Sequence, residues 1–393
     1  MSVSIIDKNC CACKTCEQIC SVRAISIIMD KDGYEQVFVN SDKCVECGLC
    51  EKVCPILNVR KPESKDGPLL CGAALAKNDT IKEKGSSGGL FGVFAHSIIK
   101  EGGVVYGAAF DTELRLKTTR AGTIEELEPL YKSKYLLCDT GNCFSEIKAD
   151  LNSGRTVLYC STPCQIAGLQ AFLRRDYKNL LCLEFACHGV GNQQQFSNSI
   201  KYLENKKGIQ IKQFVFRHKK GSNASSSHYY SYEGIKNGTP YSKSGLYMFV
   251  PYYNAYCKQW ISREICYDCP YASGERNADI TIGDFHTIGK FLPEIDRFKG
   301  VSMFLCNSTK GLNYFKKIED VLDVFPMEWE TLIDENRFSG GGTVPKEREK
   351  LLACIRDGGM EVAMKTMLNP LNDWKRLIYY NLPPFIRKKL TGI

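Results

Sequence analysis

The chain has 393 residues, 44% of them hydrophobic and 24% charged, an ordinary globular composition with room for two or three domains. The formal net charge of +8 suits acidic partners, but a solvated surface explains it as well, and no zinc-finger or RNA-recognition signature supports binding to nucleic acid. No apolar run reaches the roughly 18 residues of a membrane helix, and the start MSVSIIDKN lacks the features of a signal peptide, so we expect a cytoplasmic protein whose 21 cysteines are reduced and which does not span a membrane.

The first 60 residues contain two copies of one cysteine pattern. Each copy reads C-x2-C-x2-C-x3-C, the spacing with which a bacterial-type ferredoxin binds [4Fe-4S] clusters, taking three ligands from one run and the fourth from the other. The two predicted ligand sets are Cys10, Cys13, Cys16 and Cys54, and Cys44, Cys47, Cys50 and Cys20. Zinc is the alternative, but zinc ribbons have two ligand pairs separated by a long loop. Cys11 falls outside both sets.

Between the two cysteine runs, residues 24–40 alternate around Asp30-Lys31-Asp32-Gly33, which predicts a β-hairpin. A calcium loop is the weaker interpretation, because no downstream glutamate completes its twelve-residue pattern. Residues 61–68, KPESKDGP, are polar and bounded by proline. They predict a linker to the rest of the chain.

A loop of small residues follows the linker. Ser87, Gly88 and Gly89 precede apolar residues at helical spacing, so the loop is expected to open an amphipathic helix. Such a loop presents backbone N–H groups at the positive end of the helix dipole, which can bind an anion. A flavin could approach closely because glycine has no side chain, but a flexible turn or a simple helix cap is an equally good interpretation.

The next section has the alternating pattern of an α/β sheet. Strands are predicted at 104–109, 156–160, 180–186 and 213–216, with helices at 146–151, 165–175 and 193–205. The crossover rule makes the strands parallel, so the loops 161–165 and 187–191 should lie at one edge of the sheet, where open α/β folds bind ligands. We therefore expect Cys164 and Cys187 to face one crevice.

A third cysteine signal comes later in the chain, after residues 221–245, which are predicted to be irregular or a β-excursion. The pair Cys266 and Cys269 alone could bind zinc, form a redox dithiol or supply half of a cluster site. Two more cysteines complete a set of four. We hypothesise a third [4Fe-4S] cluster bound by Cys164, Cys187, Cys266 and Cys269. Cys160 and Cys257 are reserve candidates, and the remaining cysteines are expected to be buried thiols.

The end of the chain is both aromatic and basic. From Asn369 onward, aromatic and aliphatic side chains alternate with lysines and arginines. This pattern would suit peripheral contact with an anionic membrane or docking of a partner. A helix that packs back on its own domain is the preferred interpretation.

Together these motifs resemble the coenzyme F420 hydrogenase/dehydrogenase beta-subunit family, in a form with an N-terminal two-cluster ferredoxin module. The resemblance covers roughly residues 5–290. Besides the tandem cysteine runs, the matching motifs are Ser87-Gly88-Gly89, Ser133-Lys134-Tyr135, Thr162-Pro163-Cys164-Gln165, Cys187-His188-Gly189-Val190, Cys266–Cys269 and the segment ADITIGD at 278–284. Two residues depart from the family pattern: Ser161 stands where glycine is expected, and His286 where tryptophan is usual.

The resemblance implies an iron-sulfur oxidoreductase that contains FAD. It places the third cluster nearest the flavin and assigns no catalytic residue. Lys134 would supply positive charge to a reduced flavin or to phosphate. The residues implied to line the flavin are Ser87, Gly88, Gly89, Lys134, Thr162 and Gln165.

We therefore expect an α+β ferredoxin-type module (1–60), a linker (61–68), an α/β domain with a mostly parallel sheet (69–310) and a helical C-terminal extension (311–393). The predicted function is electron transfer between the clusters and a hydride carrier at FAD, either F420 or another small molecule, with a ferredoxin or an oxidoreductase subunit as partner. A non-catalytic electron-transfer subunit and a zinc-stabilised interaction protein are the alternatives.

Overall fold

The computed structural model describes residues 3–59, 67–219, 228–296, 300–334, 338, 340–382 and 386–387. Most of the predicted linker, 61–66, lies outside the described residues. The strands are β1 Ile25–Met29, β2 Glu35–Val39, β3 Leu70–Ala76, β4 Val104–Phe110, β5 Leu116–Ala121, β6 Val157–Ser161, β7 Leu180–Phe185, β8 Gln210–Val215, β9 Tyr229–Lys236, β10 Thr239–Leu246, β11 Ile280–Asp284, β12 Ser302–Cys306 and β13 Leu322–Pro326. The α-helices are α1 Thr15–Ile19, α2 Leu49–Lys52, α3 Asp79–Lys84, α4 Leu90–Lys100, α5 Cys143–Asn152, α6 Pro163–Leu173, α7 Gln193–Lys207, α8 Pro251–Cys257, α9 Thr309–Ile318, α10 Trp329–Leu332, α11 Glu347–Thr366 and α12 Trp374–Asn381.

The amino-terminal module is built on the predicted hairpin. Strands β1 and β2 pair antiparallel, with Ile25 opposite Val39. The turn between them is closed by Asp30, whose carboxylate accepts backbone N–H bonds from Asp32 and Tyr34 at 2.8 and 2.9 Å. The two cysteine runs flank the hairpin, and each continues into a short helix, α1 or α2.

The body is an α/β domain around an eight-stranded mixed sheet. The strand order is β13-β3-β12-β11-β7-β6-β4-β5. The four central strands, β11, β7, β6 and β4, are parallel to one another, whereas the outer strands pair antiparallel. One face of the sheet packs against α4 and α9, and part of the other against α5 and α6. The predicted α/β class is confirmed, with the parallel order confined to the centre of the sheet.

The strand after α7 differs from the prediction. We expected 213–216 to continue the parallel sheet, but β8 instead forms a separate antiparallel sheet in the order β10-β9-β8. Its sequence explains why: Ile211 and Phe214 are buried while Lys212 and Gln213 between them are exposed, so only one face of β8 can be covered. In the eight-stranded sheet, β11 is the strand that pairs with β7 on this side. The expected β-excursion at 221–245 is the β9–β10 hairpin; 220–227 lie outside the described residues.

Residues 311–393 are not a purely helical extension, because they begin inside the body. Helix α9 packs on the sheet and β13 pairs with β3 at its edge. Helix α11, kinked at Gly359, then leads to α12. Leu377 and Tyr380 of α12 pack against the core that also holds α8 and the β8–β9 strands, which agrees with the preferred interpretation of the tail. No helix in the described part of the chain is long and apolar enough to cross a membrane.

Candidate iron-sulfur sites and an adjoining cavity

The outermost group of thiols lies around a small cavity in the amino-terminal module. Its wall includes all four members of one predicted ligand set, Cys20, Cys44, Cys47 and Cys50. Cys47 is exposed and the other three are partly buried. The Ala24 backbone N–H donates to Cys20 Sγ at 3.3 Å. Hydrogen bonds of this kind to the sulfurs help set the potential of an iron-sulfur cluster.

The second predicted set, Cys10, Cys13, Cys16 and Cys54, forms a buried group. Burial and the neighbouring Cys13 and Cys54 thiols raise the pKa of Cys10 to about 11, against the lowering effect of the Ala12 N–H and Arg263. The pKa of Cys16 is raised by burial and then by neighbouring thiols of the same set. Thiols that repel one another as thiolates are costly to ionise in a buried site, and bound iron would offset that cost. The structure therefore brings together the residues that one four-iron cluster requires.

The third group joins cysteines from three distant parts of the body. Cys164 lies in the first turn of α6, Cys187 follows β7, and Cys266 and Cys269 come from the loop before β11. Burial raises the pKa of Cys187 well above its usual value, and the nearby Cys266, Cys164 and Cys269 thiols raise it further. The Gly189 N–H donates to Cys187 Sγ at 3.4 Å. The hypothesised third ligand set is thus one spatial group.

Across the described residues, no three His, Cys, Asp or Glu side chains converge on one point closely enough to hold a single metal ion.

The buried group around Cys10 and the third thiol group adjoin at a junction that involves Cys11. The buried Cys11 thiol hydrogen-bonds both Cys13 and Cys164, which belong to the two different groups. Helix α6 can approach because Gly168 has no side chain: a Cβ there would lie 2.6 Å from Thr15 Oγ1 and 3.2 Å from Cys13 Sγ. The cysteine spacing placed Cys11 outside the ligand sets and gave no signal of this contact.

Arg263 fastens the amino-terminal module to the body. Its guanidinium is buried and donates to Cys10 O at 3.0 and 3.2 Å, to Glu35 O at 2.6 Å and to the Glu35 carboxylate at 2.8 Å. Arg263 immediately precedes the 3-10 turn that carries Cys266. One side chain therefore links the first cysteine run, the hairpin and the loop of the third group.

A cavity of about 550 Å³ adjoins the third group, within the size range of cofactor and small-molecule sites. Cys187 belongs both to the third thiol group and to the cavity wall. The reserve candidates Cys160 and Cys257 line the cavity, where burial raises the pKa of each to about 12. The cavity wall also contains five residues of the predicted flavin site, Ser87, Gly89, Lys134, Thr162 and Gln165.

Gly88, the sixth predicted flavin residue, is not in the described wall of the cavity. A Cβ on Gly88 would lie 2.5 Å from Ala74 O and 2.8 Å from Ser302 N, so its missing side chain lets the loop pack on β3 and β12. Gly89 does line the cavity, and it needs glycine for a second reason, its φ of 91° at the start of α4. This packing is a reason for glycine at position 88 that the sequence did not indicate, and the contact of Gly88 with a flavin stays a prediction.

Lys134 contributes charge to the cavity through a fixed geometry. Its ammonium donates to Ala108 O, Pro129 O and Tyr131 O at 2.9, 2.8 and 2.6 Å, which uses all three of its N–H donors. Burial lowers its pKa to about 7. With its three donors used within the protein, Lys134 offers a ligand in the cavity no direct hydrogen bond, and a pKa of about 7 leaves it only partly charged at neutral pH.

Thr162 and Gln165 are held at the start of α6. Thr162 precedes the helix, and its hydroxyl lies 3.4 Å from Cys164 Sγ. Gln165 is fully buried; its amide donates to Cys138 O at 2.7 Å and accepts from Ser161 Oγ at 2.5 Å. The hydroxyl at position 161, where the family pattern has glycine, thus fixes a cavity residue.

Further wall residues come from segments that the sequence did not connect with the site. Arg217 follows β8 and forms a buried ion pair with Asp284 at the end of β11. His286, the second departure from the family pattern, also lines the cavity. Arg376 and Tyr380 reach it from α12. The basic aromatic composition of the tail was the only sequence signal for these last two residues.

Comparison with known proteins agrees with this arrangement. Residues 154–328 match the family model for the carboxyl-terminal part of the coenzyme F420 hydrogenase/dehydrogenase beta subunit, and residues 9–57 match a 4Fe-4S dicluster domain. Residues 154–328 therefore belong to this beta-subunit family. The predicted resemblance is confirmed, and the chain is of an iron-sulfur redox type. All four cysteines of the third group lie within the beta-subunit segment, whereas Ser87, Lys134 and Arg376 of the cavity wall lie outside it.

No curated protein matches the chain. A solved structure that resembles it is the xenon-derivatised F420-reducing [NiFe] hydrogenase complex from Methanosarcina barkeri. That match has 15% sequence identity and a TM-score of 0.45, and it covers 76% of this chain and 92% of the other.

Proposed function

We propose that the protein is an FAD-dependent iron-sulfur oxidoreductase that passes electrons between ferredoxin-type clusters and a small-molecule substrate or hydride carrier, F420 or another. The observation that carries the proposal is the position of Cys187, which joins the third thiol group to the wall of the cavity. A site for single electrons and a site for a small molecule share this residue.

The three thiol groups lie in series. Cys47 of the outer group is exposed, the group around Cys10 is buried, and Cys11 connects that group to Cys164 of the third. The outer group is the natural place for contact with a redox partner, a ferredoxin or another oxidoreductase subunit. Exposed apolar side chains lie close to it in sequence, with Val45 at 65% and Leu57 at 42% exposure.

The cavity suits FAD by its charge and its aromatic wall. Lys132, Lys134, Arg217 and Arg376 supply positive charge, and Asp284 is the one carboxylate in the described wall. Such a surplus favours a ligand with phosphate groups. Tyr135 and Tyr256 stack with ring centroids 4.6 Å apart and present a flat apolar surface. A bound flavin would exchange two electrons with the substrate and single electrons with the clusters, while the protein positions and tunes it.

The test is cofactor analysis of protein purified without oxygen. We expect about 12 irons, as three four-iron clusters, with matching acid-labile sulfide and one flavin that mass spectrometry identifies as FAD. About 8 irons without flavin would instead indicate an electron-transfer subunit without its own catalysis. Stoichiometric zinc in place of iron would overturn both assignments.

Substrate identity is tested by anaerobic mixing of the loaded protein with candidate reduced carriers, F420 among them. A competent carrier should bleach the flavin absorbance and then the broad absorbance of the clusters. The order follows from the cavity position of the flavin, since Cys187 separates it from the outer thiol groups. Bleaching of the clusters before the flavin would contradict the proposed position of the flavin between the carrier and the clusters.

A further inference from the structure

One wall of the cavity comes from α12, beyond the beta-subunit segment. Tyr380 stacks on His228, with ring centroids 4.2 Å apart and an interplanar angle of 29°. The Tyr229 hydroxyl donates to Tyr380 O at 3.1 Å, and an ion pair joins Lys258 of the body to Asp373 just before the helix. Contacts on both sides of Arg376 therefore hold α12 in place at the cavity.

The charges at this end of the cavity are mostly positive. Burial and four basic neighbours together lower the pKa of His228 to about 3; the neighbours are Arg217, His286, Arg387 and Arg376. Both nearby carboxylates are already paired, Asp284 with Arg217 and Asp373 with Lys258. Among the described residues, no carboxylate forms an ion pair with Arg376 or His286. The two carboxylates, which also attract Arg376 and His286, therefore offset only part of the positive charge at this end of the cavity.

Arg217 provides a second, independent observation. Its side chain is only 5% exposed and lines the cavity, yet its Nε has no hydrogen-bond partner among the described residues. Its two terminal nitrogens bind the Asp284 carboxylate. A buried guanidinium N–H without an acceptor is costly, and the positive charge of this guanidinium would favour an anionic ligand in the cavity that Arg217 lines.

We infer that Arg217, His286 and Arg376 form an anion subsite for the substrate, which therefore carries a carboxylate or phosphate group, and that α12 helps to select it. The inference rests on the proposed function insofar as it calls this anion the substrate. The phosphates of FAD are the other source of the same chemistry. The two sources differ in one respect: the flavin phosphates would occupy the subsite in the loaded protein, whereas a substrate subsite would remain open to a probe.

The experiment uses the anaerobically purified, flavin-loaded protein and inorganic pyrophosphate as the probe, with calorimetry to measure binding. We expect Arg376→Gln to weaken pyrophosphate binding about tenfold, the factor that corresponds to about 1.4 kcal/mol. Arg376→Lys should recover part of the loss. Lys375→Gln is the matched control, because it removes the same charge from the same helix at a residue outside the described cavity wall.

Each outcome decides between the alternatives. Weaker pyrophosphate binding in Arg376→Gln with unchanged flavin content supports the substrate subsite. Loss of flavin in the same variant, or no pyrophosphate binding by the loaded wild type, would assign the subsite to FAD and overturn the inference. Equal binding by Arg376→Gln and Lys375→Gln would overturn it as well. Protein that contains no flavin but binds pyrophosphate through Arg376 would refute the proposed function and leave the anion subsite standing.

Discussion

Gly168 lies where α6 touches the amino-terminal module, one helical turn after Cys164. Its substitution by alanine has two opposing effects. Alanine in a helix interior is favoured over glycine by about 1 kcal/mol. The added Cβ, however, would lie 2.6 Å from Thr15 Oγ1 and 3.1 Å from Cys13 Cβ.

Steric crowding should outweigh the gain in helix propensity. Overpacking of a close-packed interior costs about 1–3 kcal/mol. Thr15 is completely buried, and its hydroxyl lies 3.2 Å from Cys13 Sγ, so it has little room to move. We place the cost in the upper part of that range and expect Gly168→Ala to lower the free energy of unfolding by about 1–2 kcal/mol after the propensity gain.

The assay is anaerobic thermal unfolding together with iron content. A loss of 1 kcal/mol lowers the melting temperature of a mid-sized domain by about 2–4 °C. Thr15→Ala in the Gly168→Ala background should restore part of the loss, because it removes the nearest atom. A Gly168→Ala protein that melts at a higher temperature than the wild type would show helix propensity alone, and would refute the contact between α6 and the first cysteine loop.

Three further predictions concern the third thiol group, the Arg263 contact, and the lysines Lys132 and Lys219. Cys266→Ser should remove about four irons and slow flavin reduction by the outer clusters; unchanged iron would exclude Cys266 as a ligand. Arg263→Met should destabilise the protein by about 3–5 kcal/mol, because it leaves the Glu35 carboxylate buried without a partner, and adding Glu35→Gln should recover much of the melting temperature. Burial lowers the pKa of both lysines to about 8, helped by repulsion from Lys219 at Lys132 and from Arg217 and Lys82 at Lys219. Both lysines therefore lose charge as the pH rises through 8, and pyrophosphate affinity should fall between pH 7 and 9; a flat calorimetric profile would contradict this.

The lysine prediction depends on the charges around the pair. Lys132 is repelled by Lys219, and Arg217 adds to the repulsion of both lysines, whereas Glu83 attracts both and raises their pKa. Their ammonium groups bind backbone carbonyls of the loop before α4, Lys132 at Gly85 O and Lys219 at Ser87 O. Carbonyls carry only partial charge, so an anion in the cavity would stabilise the protonated lysines more than these carbonyls do.

The N-terminal cysteine groups could be predicted because the spacing of the cysteines in the sequence indicates the cluster ligands. The tandem runs fix eight thiols within the first 60 residues, and the hairpin between them follows from alternation around a turn. The pairing of Cys164 with Cys187 required one further rule, that parallel strands present their carboxyl ends at one edge. The rule applies here because β6 and β7 are adjacent and parallel.

Other features depend on contacts that no short segment encodes. Strand β8 was assigned to the wrong sheet because β11, which comes much later in the chain, occupies the position beside β7. Arg217 and Arg376 are far apart in sequence, and both line the cavity only because α12 packs on the body. The close packing of Gly88 on the backbone of Ala74 in β3 is likewise not visible in the local sequence.

The two departures from the family pattern lie in one part of the molecule. Ser161 and His286 both line the cavity, where Ser161 holds Gln165 and His286 belongs to the positive end of the wall. The thiols of the third group, in contrast, all match the pattern. Under the proposed function, a change confined to the cavity would leave the route for single electrons intact and alter which substrate the cavity accepts. We therefore expect this protein to differ from F420-using relatives in its substrate, and a loaded protein whose flavin is reduced by F420 but by no other carrier would contradict that expectation.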